Sequence, residues 1–370
     1  MRADVIVVGG GLAGSAAAWA LSRDHKVTLF EQFGPGHDRG SSHGSARIFR
    51  RAYPDPLYVE LTGEAGLLWD RLQEEAGEQL LVRTGSLDFG PGPRPRLMYD
   101  LLRRHGVAAE LLDPAQARER WPWFRFAADD AVLFHNEGGV LDAGKATAVM
   151  QRLAAARGAR IQHETRVTGV DAAAGTVTTL DAVHKADAVV VAAGSWLEPL
   201  LKDQVPLPEL TVVQMSAFHH RITGGDDDWP TFIHGALYGL PSGSDAPGSV
   251  KLGVHDTGLV TTADDRDGIP GEGARDRVRD FVMTKLGGVD AQPVKSLTCL
   301  YTRTPGEDFL IDRHQRAVIV SACSGHGAKF APLLGVMAKE LVSGGRQRHE
   351  RFTMNHQLSA RLLARTRRTP

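Results

Sequence analysis

Three glycines carry the first chemistry of the chain. Gly9, Gly11 and Gly14 form a G-x-G-x-x-G run, with Leu12 and Ala13 inside it, directly after the apolar, β-branched residues 4–8. Residues 15–21 are small and read as a helix, residues 26–30 read as a second strand, and Glu31 closes the unit. Each part has a physical role. Gly9 allows a tight turn and Gly11 lets a pyrophosphate approach the backbone. Gly14 lets helix and strand pack closely, and the helix N-terminus favours phosphate charge. Glu31 is suited to accept hydrogen bonds from the ribose hydroxyls of an adenosine. The order predicts a dinucleotide site. The plain alternative is a ligand-free glycine turn, and the pattern alone does not separate FAD from NAD.

Further along, Arg47 and Arg50 lie three apart in a glycine-bounded segment. Two guanidiniums side by side repel unless an anion or a π-system faces them, and arginine forks suit a carboxylate. Arg51 reads as a surface residue. Lys251 sits in the apolar run 250–254, where alternation sets it opposite Val250 and Leu252 and on the side of His255. A solvated strand face explains that lysine equally well. Cys299 and Cys323 read as structural thiols. Residues 324–329, Ser-Gly-His-Gly-Ala-Lys, open a helix whose backbone N–H groups favour negative charge, with Lys329 available to pair with a carboxylate. Tyr238, Tyr301, His234 and the loop 223–231 are expected to shape a pocket. The 15 histidines show no metal-binding spacing.

Elements must bring these residues together across 370 positions, length enough for two or three domains. Hydrophobic residues make up 42% and charged residues 24%, an ordinary globular balance. A net charge of −1 offers no global field for nucleic acid or an anionic membrane. Two cysteines make no disulfide scaffold, which suits a reducing cytoplasm. The uncharged stretch 5–22 invites a signal or membrane reading, but its glycines and Asp4 oppose that. Arg367-Arg368-Thr369-Pro370 is not a peroxisomal address. Helices are expected at 54–79, 95–105, 143–157, 273–286 and 332–341. Strands are expected at 82–89, 160–163, 167–170, 187–193, 211–219, 231–240, 250–255, 297–302 and 317–322. The fold class is therefore α/β, a Rossmann-type nucleotide domain plus a substrate domain with a mostly antiparallel sheet. The nucleotide domain is expected from 1–55, 142–206 and 302–370, and the substrate domain from 56–141 and 207–301.

The chain resembles the monomeric sarcosine oxidase and N-methyltryptophan oxidase group of FAD-dependent amine oxidases, in the D-amino acid oxidase superfamily. It is similar also to pipecolate and cyclic imino acid oxidases. The resemblance rests on the glycine unit with Glu31, on residues 40–53, and on Arg83-Thr84-Gly85-Ser86-Leu87. It extends to Tyr238-Gly239-Leu240-Pro241, residues 250–255, Thr298-Cys299-Leu300-Tyr301-Thr302 and residues 324–329. It implies FAD in a two-domain fold like that of p-hydroxybenzoate hydroxylase. By the resemblance Gly9, Gly11, Leu12, Ala13, Gly14, Glu31, Ser41, Ser42, Val167, Gly194, Gly325, His326 and Gly327 contact the cofactor, and Cys299 carries it as a thioether. Arg47 lies beside the flavin ring. Arg50 and Lys329 pair with the substrate carboxylate, Lys329 also lying near the cofactor, while Tyr238 and Tyr301 border the substrate. Lys251 lies over the flavin and promotes its reaction with oxygen, with His255 lining the same cavity. The family often has a hydroxyl residue before its first arginine; Ala46 stands there in this chain and removes one hydrogen bond near the flavin.

The expected activity is oxidation of a secondary (N-methyl) or cyclic amino acid, with hydride transfer from the C–H next to nitrogen, giving imine and hydrogen peroxide. Sarcosine, N-methyl aromatic amino acids, pipecolate or proline, and a secondary-metabolite intermediate all fit. The rival readings are a flavin-dependent amino acid dehydrogenase, an NAD(P)H-dependent hydroxylase, and a non-catalytic flavin binder. The expected partners are the amino acid and molecular oxygen, with no nucleic acid and no membrane, for a cytoplasmic monomer.

Overall fold

The computed structural model describes residues 3–224 and 228–359. Its first strand, Val5–Val8, is buried along its whole length. It lies inside a six-stranded sheet ordered Leu310–His314, Ala317–Ser321, Ala188–Val191, Val5–Val8, Val27–Phe30 and Arg160–Gln162. The pairings are parallel apart from the antiparallel hairpin at one edge. Val5 and Val7 enter one core, and Ile6 and Val8 enter another on the opposite face. A sheet covered on both faces needs continuous apolar strands rather than alternating ones, which is why this run has no polar member.

The helix Leu12–Leu21 begins at the glycine turn, three residues earlier than expected. Its alanines let the helix Ala331–Val342 approach very closely: a Cβ on Gly335 would stand 2.3 Å from the Ala16 carbonyl oxygen. Expected helices at 54–79, 95–105, 143–157 and 273–286 appear as Pro56–Ala76, Arg94–Arg104, Ala143–Ala156 and Glu272–Lys285. Asp55 and Asp142 cap the first and third by accepting from backbone N–H groups. A short helix, Pro114–Arg120, was not expected; Asp113 and Gln116 close a capping box at its start.

The second large sheet has nine strands. Its path runs Leu259–Val260, Thr211–Ile222, Ser249–Val254, Leu237–Pro241, Thr231–His234, Ser86–Gly90, Ala131–His135, Ala109–Leu112, with Val289–Arg303 paired to Thr211–Ile222. It is antiparallel except where Thr231–His234 meets Ser86–Gly90. Two expected strands divide at glycines. The stretch 231–240 is a hairpin turning at Gly235, with φ 60°. The stretch 82–89 splits at Gly85, whose φ is 78° and where a Cβ would stand 2.5 Å from the Phe134 ring. The strand expected at 297–302 extends to Val289–Arg303, and Pro293, lacking an N–H, sits beside a register shift opposite His220. A small sheet joins Arg47–Phe49 to Gly139–Leu141 and Leu81–Val82. Among the described residues no helix is long and apolar enough to cross a membrane.

Candidate active site

A cavity of about 680 Å³ runs from Glu31 and Trp196, past the glycine turn, to Lys251, Tyr238 and Tyr301. At its first end the glycines are sterically required. Gly9 has φ 100°, and a Cβ on Gly14 would stand 1.8 Å from the Gly9 carbonyl oxygen. Gly11 precedes the helix Leu12–Leu21 without a side chain to cap it, and the first turn beyond Leu12 offers N–H groups that suit an anion. Ser42 Oγ accepts from Leu12 N at 2.9 Å, closing the far wall over the turn. Glu31 is buried, with Oε2 accepting from Gly10 N at 2.7 Å and Oε1 from Phe33 N at 2.9 Å. Burial pushes its carboxyl up, but His37 and those two N–H groups outweigh it and hold it below the usual carboxylate range. It therefore stays an acceptor. Gln151 fixes the turn from behind, donating to the Gly10 carbonyl and the Ser15 hydroxyl. Val167, Ala193 and Gly194 complete this end. A long cavity, a glycine cradle and an ionised acid at the strand end fit a dinucleotide cofactor.

At the other end, strand alternation decides what enters the cavity. In Ser249–Val254, Val250, Leu252 and Val254 point into an aromatic core with Phe218, Phe232 and Phe281. Lys251 and, beyond the strand, His255 fall on the opposite face and line the cavity. Gly253 between them must be glycine, since its Cβ would stand 2.4 Å from the Tyr238 hydroxyl. Gly325 gives way in the same manner to the Tyr301 ring. The His255 ring centre lies 5.2 Å from that of Tyr238 and 5.9 Å from that of Tyr301, forming an aromatic wall. Burial, reinforced by Arg50 and Lys329, holds His255 down to about 4, so it is neutral at physiological pH. Burial pushes both tyrosines up, and their hydroxyls remain protonated.

Four cations meet here. Arg47 is tied by three carbonyls, those of Ala46 at 2.9 Å, Ser41 at 3.1 Å and His43 at 2.7 Å. Lys251 donates to the Ala46 carbonyl at 3.2 Å. Burial, with Arg47 nearby, lowers Lys251 to about 7. The Arg50 guanidinium lies 4.5 Å from the centre of the Tyr53 ring. Lys329 is 5% exposed and donates to the His326 carbonyl at 2.8 Å. Burial and Arg50 hold its ammonium well below the usual lysine range. Among the described residues Lys329 forms no ion pair. The His326 ring packs in an aromatic cluster with Tyr53, Tyr58 and Phe309. Its Nε2 donates to the Glu307 carbonyl at 3.1 Å, so its Nδ1 accepts from the Tyr53 hydroxyl at 3.3 Å. Burial keeps that imidazole neutral, near 3.

Both cysteines line the cavity. Cys299 is buried beside Met215 and Tyr301. Cys323 Sγ lies 3.1 Å from the Ser41 hydroxyl, and burial raises its thiol. Ser41 in turn donates to the Leu300 carbonyl.

Two pocket expectations are corrected. His234 does not line the cavity. Alternation within Thr231–His234 sends Ile233 there, and the His234 ring packs 5.0 Å from Phe89 and 5.5 Å from Phe281. The loop 223–231 does not line it either among its described residues, since Trp229 packs into the core beyond the sheet; residues 225–227 lie outside the described residues, as does the C-terminal Arg367–Pro370 stretch. The sequence reading missed His43, whose Nε2 is buried without a partner at the cavity wall, and Asp88, which stands 3.5 Å from Arg50. His43 had one signal, its place between the serines and arginines of residues 41–47.

The comparisons agree with this architecture. Residues 4–341 match the family DAO, FAD dependent oxidoreductase. The chain is 31% identical over 367 residues to monomeric sarcosine oxidase of Bacillus sp. (strain B-0618), covering 94% of each chain. It is 32% identical over 358 residues to N-methyl-L-tryptophan oxidase of Yersinia pestis (strain Pestoides F), covering 91% of this chain and 94% of that one. Among solved structures it is similar to NikD, an unusual amino acid oxidase essential for nikkomycin biosynthesis. That likeness has a TM-score of 0.83 at 25% identity, covering 95% of this chain and 96% of that one.

Proposed function

Because the chain belongs to the family of FAD dependent oxidoreductases, we propose that it oxidises a secondary or cyclic amino acid at the C–N bond, with oxygen as acceptor, giving an imine and hydrogen peroxide. The observation that carries this reading is Lys329, a buried ammonium that lines the cavity beside Arg50 without an ion pair among the described residues. A buried cation in that state calls for an anion from outside, and an amino acid supplies one in its carboxylate. The relatives named sarcosine oxidase and N-methyl-L-tryptophan oxidase support a secondary amine next to that carboxylate.

When bound, FAD would supply the two-electron acceptor for the amine, and in its reduced form would pass that electron pair on to oxygen. The chain does the rest. Gly9, Gly11 and Gly14 with the first turn of the helix after them would hold the pyrophosphate, and Glu31 would hold the ribose. Arg50 and Lys329 fix the carboxylate. Tyr238, Tyr301 and neutral His255 wall the amine in and keep water out, so the charges inside act at low dielectric. Lys251, held against the Ala46 carbonyl, offers positive charge where oxygen is reduced. Cys299, buried at the cavity wall, would hold the cofactor covalently.

A peroxide-release screen over sarcosine, proline, pipecolate and N-methyl aromatic amino acids tests the reading, each beside its carboxamide. Peroxide from at least one acid and none from its amide is expected. Anaerobic bleaching of the flavin by an amino acid without peroxide formation in air would replace the oxidase with a dehydrogenase.

A further inference from the structure

A buried carboxylate behind Arg50 has no part in the reaction as described. Asp88 stands in the strand Ser86–Gly90, in register with Ile233, whose side chain lines the cavity. It is 2% exposed, and neither carboxylate oxygen has a hydrogen-bond partner among the described residues. Its ion-pair contact is Oδ1 to Arg50 Nη1 at 3.5 Å. Leaving a carboxylate so bare is costly unless a cation faces it. Arg50 has two further anchors, the Tyr53 ring and the Ala52 carbonyl to which Nη1 donates, and it borders the cavity. Its place therefore does not depend on Asp88, but its charge is shared with it.

We propose that Asp88 is an internal counterion that competes with the bound amino acid's carboxylate for Arg50, and so limits how tightly the site holds its ligand. This rests on the reading that Arg50 and Lys329 bind that carboxylate. In the liganded site, with Lys329 protonated and Asp88 ionised, the two cations carry one internal anion, and a single ligand carboxylate makes the site neutral. With Asp88 uncharged, the same ligand meets a surplus positive charge in a poorly solvated place and binds more tightly. Because substrate and product imine carry the same carboxylate, the counterion speeds product release as well as weakening the hold on substrate.

The groups facing Asp88 are Arg50 and Tyr53 from the segment after Arg47–Phe49, with Arg51 beside them. His135 comes from Ala131–His135 and Arg94 from the start of Arg94–Arg104. Burial raises the Asp88 carboxyl to about 6 against the pull of Arg50 and Arg94. Burial also lowers His135 to about 3 and raises Tyr53 to about 12. Of these groups, Asp88 is the one that changes charge between weakly acidic and weakly alkaline solution.

Cyclopentanecarboxylate and cyclopentanecarboxamide make suitable probes, being five-membered rings without an oxidisable amine. They are titrated into flavin-loaded enzyme and followed by the change in flavin absorbance. At about pH 8, Asp88→Asn should bind the carboxylate on the order of tenfold more tightly than wild type, with the carboxamide unchanged. Towards about pH 5 the wild type should converge on the variant, because Asp88 takes up a proton and loses its charge. Comparing the two enzymes at each pH cancels the titration of the probe. Carboxylate affinity in Asp88→Asn equal to or weaker than wild type throughout overturns the proposal. If Asp88→Asn does not retain flavin, Asp88→Val replaces it in the same comparison. A wild type that does not prefer carboxylate to carboxamide overturns the clamp itself, and the proposal with it. A wild type that prefers carboxylate while the variant gains nothing overturns the counterion alone.

Discussion

The Lys251 ammonium nitrogen lies 3.2 Å from the Ala46 carbonyl oxygen, and this contact ties the nine-stranded sheet to the segment that carries Arg47 and Arg50. One neutral acceptor does not replace the water shell of an ammonium. Lys251 is 3% exposed, and burial with Arg47 close by brings it to about 7. The site thus holds a lysine that is half charged near neutrality, at the wall proposed as the oxygen site.

A charge at that wall should matter to one half-reaction. Lys251→Met keeps the stem and deletes the charge. Flavin reduction by substrate under anaerobic conditions should survive, while reoxidation by oxygen slows by about 10²–10³, the usual effect of losing one such electrostatic donor. In the wild type the ammonium is present below about 7 and lost above it. Reoxidation should therefore slow as pH rises through that value, and the variant should lack this limb. Stopped-flow absorbance records both steps; unchanged reoxidation in Lys251→Met would place the oxygen site elsewhere.

The same burial predicts a gain in stability. The unfolded chain holds the Lys251 proton up to its ordinary value of about 10.5, whereas the folded chain releases it near 7. The folded protein therefore bears the full penalty below about 7, and loses it progressively as pH rises towards 10.5. Lys251→Met should stabilise the fold at neutral pH by roughly 2–4 kcal/mol after loss of the Ala46 hydrogen bond, and by much less near pH 10. Denaturant melts at the two pH values measure this, and an equal gain at both would refute the assignment.

The proposed covalent attachment can be tested at two thiols that both line the cavity, and colourless pellets from all the enzymes would rule it out. Acid precipitation of wild type and of Cys323→Ala should leave yellow colour with the pellet. Cys299→Ala should release all of it to the supernatant. Colour retained by Cys299→Ala and lost from Cys323→Ala would exchange the roles of the two residues.

How far the sequence is legible depends on the range of the interactions concerned. The glycine turn and Glu31 are local, so their order along the chain already states the site. The cavity side of Lys251 follows from alternation with Val250 and Leu252. Asp88 is different. Leu87 and Phe89 against Ser86 and Asp88 read as an ordinary strand with one solvated face. That second face is covered by the segment carrying Arg50 and Tyr53, a contact that periodicity does not encode. His234 leaves the cavity because the chain turns at Gly235 instead of continuing as one strand, which sets Ile233 rather than His234 beside Tyr238. The split at Gly85 is equally non-local, since the ring that demands a glycine there is that of Phe134.

Close helix packing under the nucleotide end can be tested at Gly335. A Cβ there would stand 2.3 Å from the Ala16 carbonyl oxygen, a backbone atom that cannot turn aside. Gly335→Ala should push the helices Leu12–Leu21 and Ala331–Val342 apart and cost about 1–3 kcal/mol. Since the first of these helices presents its N-terminus to the cofactor, flavin retention on dilution should fall as well. Unchanged melting and retention would show that the two helices tolerate a wider spacing.

The proposed clamp of Arg50 and Lys329 makes the sharpest demand on substrate chemistry. Both are largely removed from water, and burial with Arg50 close by weakens the hold of Lys329 on its proton unless an anion arrives. A carboxylate between them relieves that repulsion, whereas a neutral amide does not. Truncating one partner of a buried charge pair costs about 2–5 kcal/mol of binding. Wild type should therefore separate amino acid from amino amide strongly in KM. Arg50→Ala, Lys329→Ala should separate them little, with the acid losing most. The ligand should also return a proton to Lys329, whose free ammonium titrates well below the usual lysine range. Calorimetry of carboxylate binding in two buffers of different ionisation heat should then show proton uptake at alkaline pH, and Lys329→Met should abolish it. Equal wild-type affinity for acid and amide, or uptake that persists in Lys329→Met, would rule the clamp out.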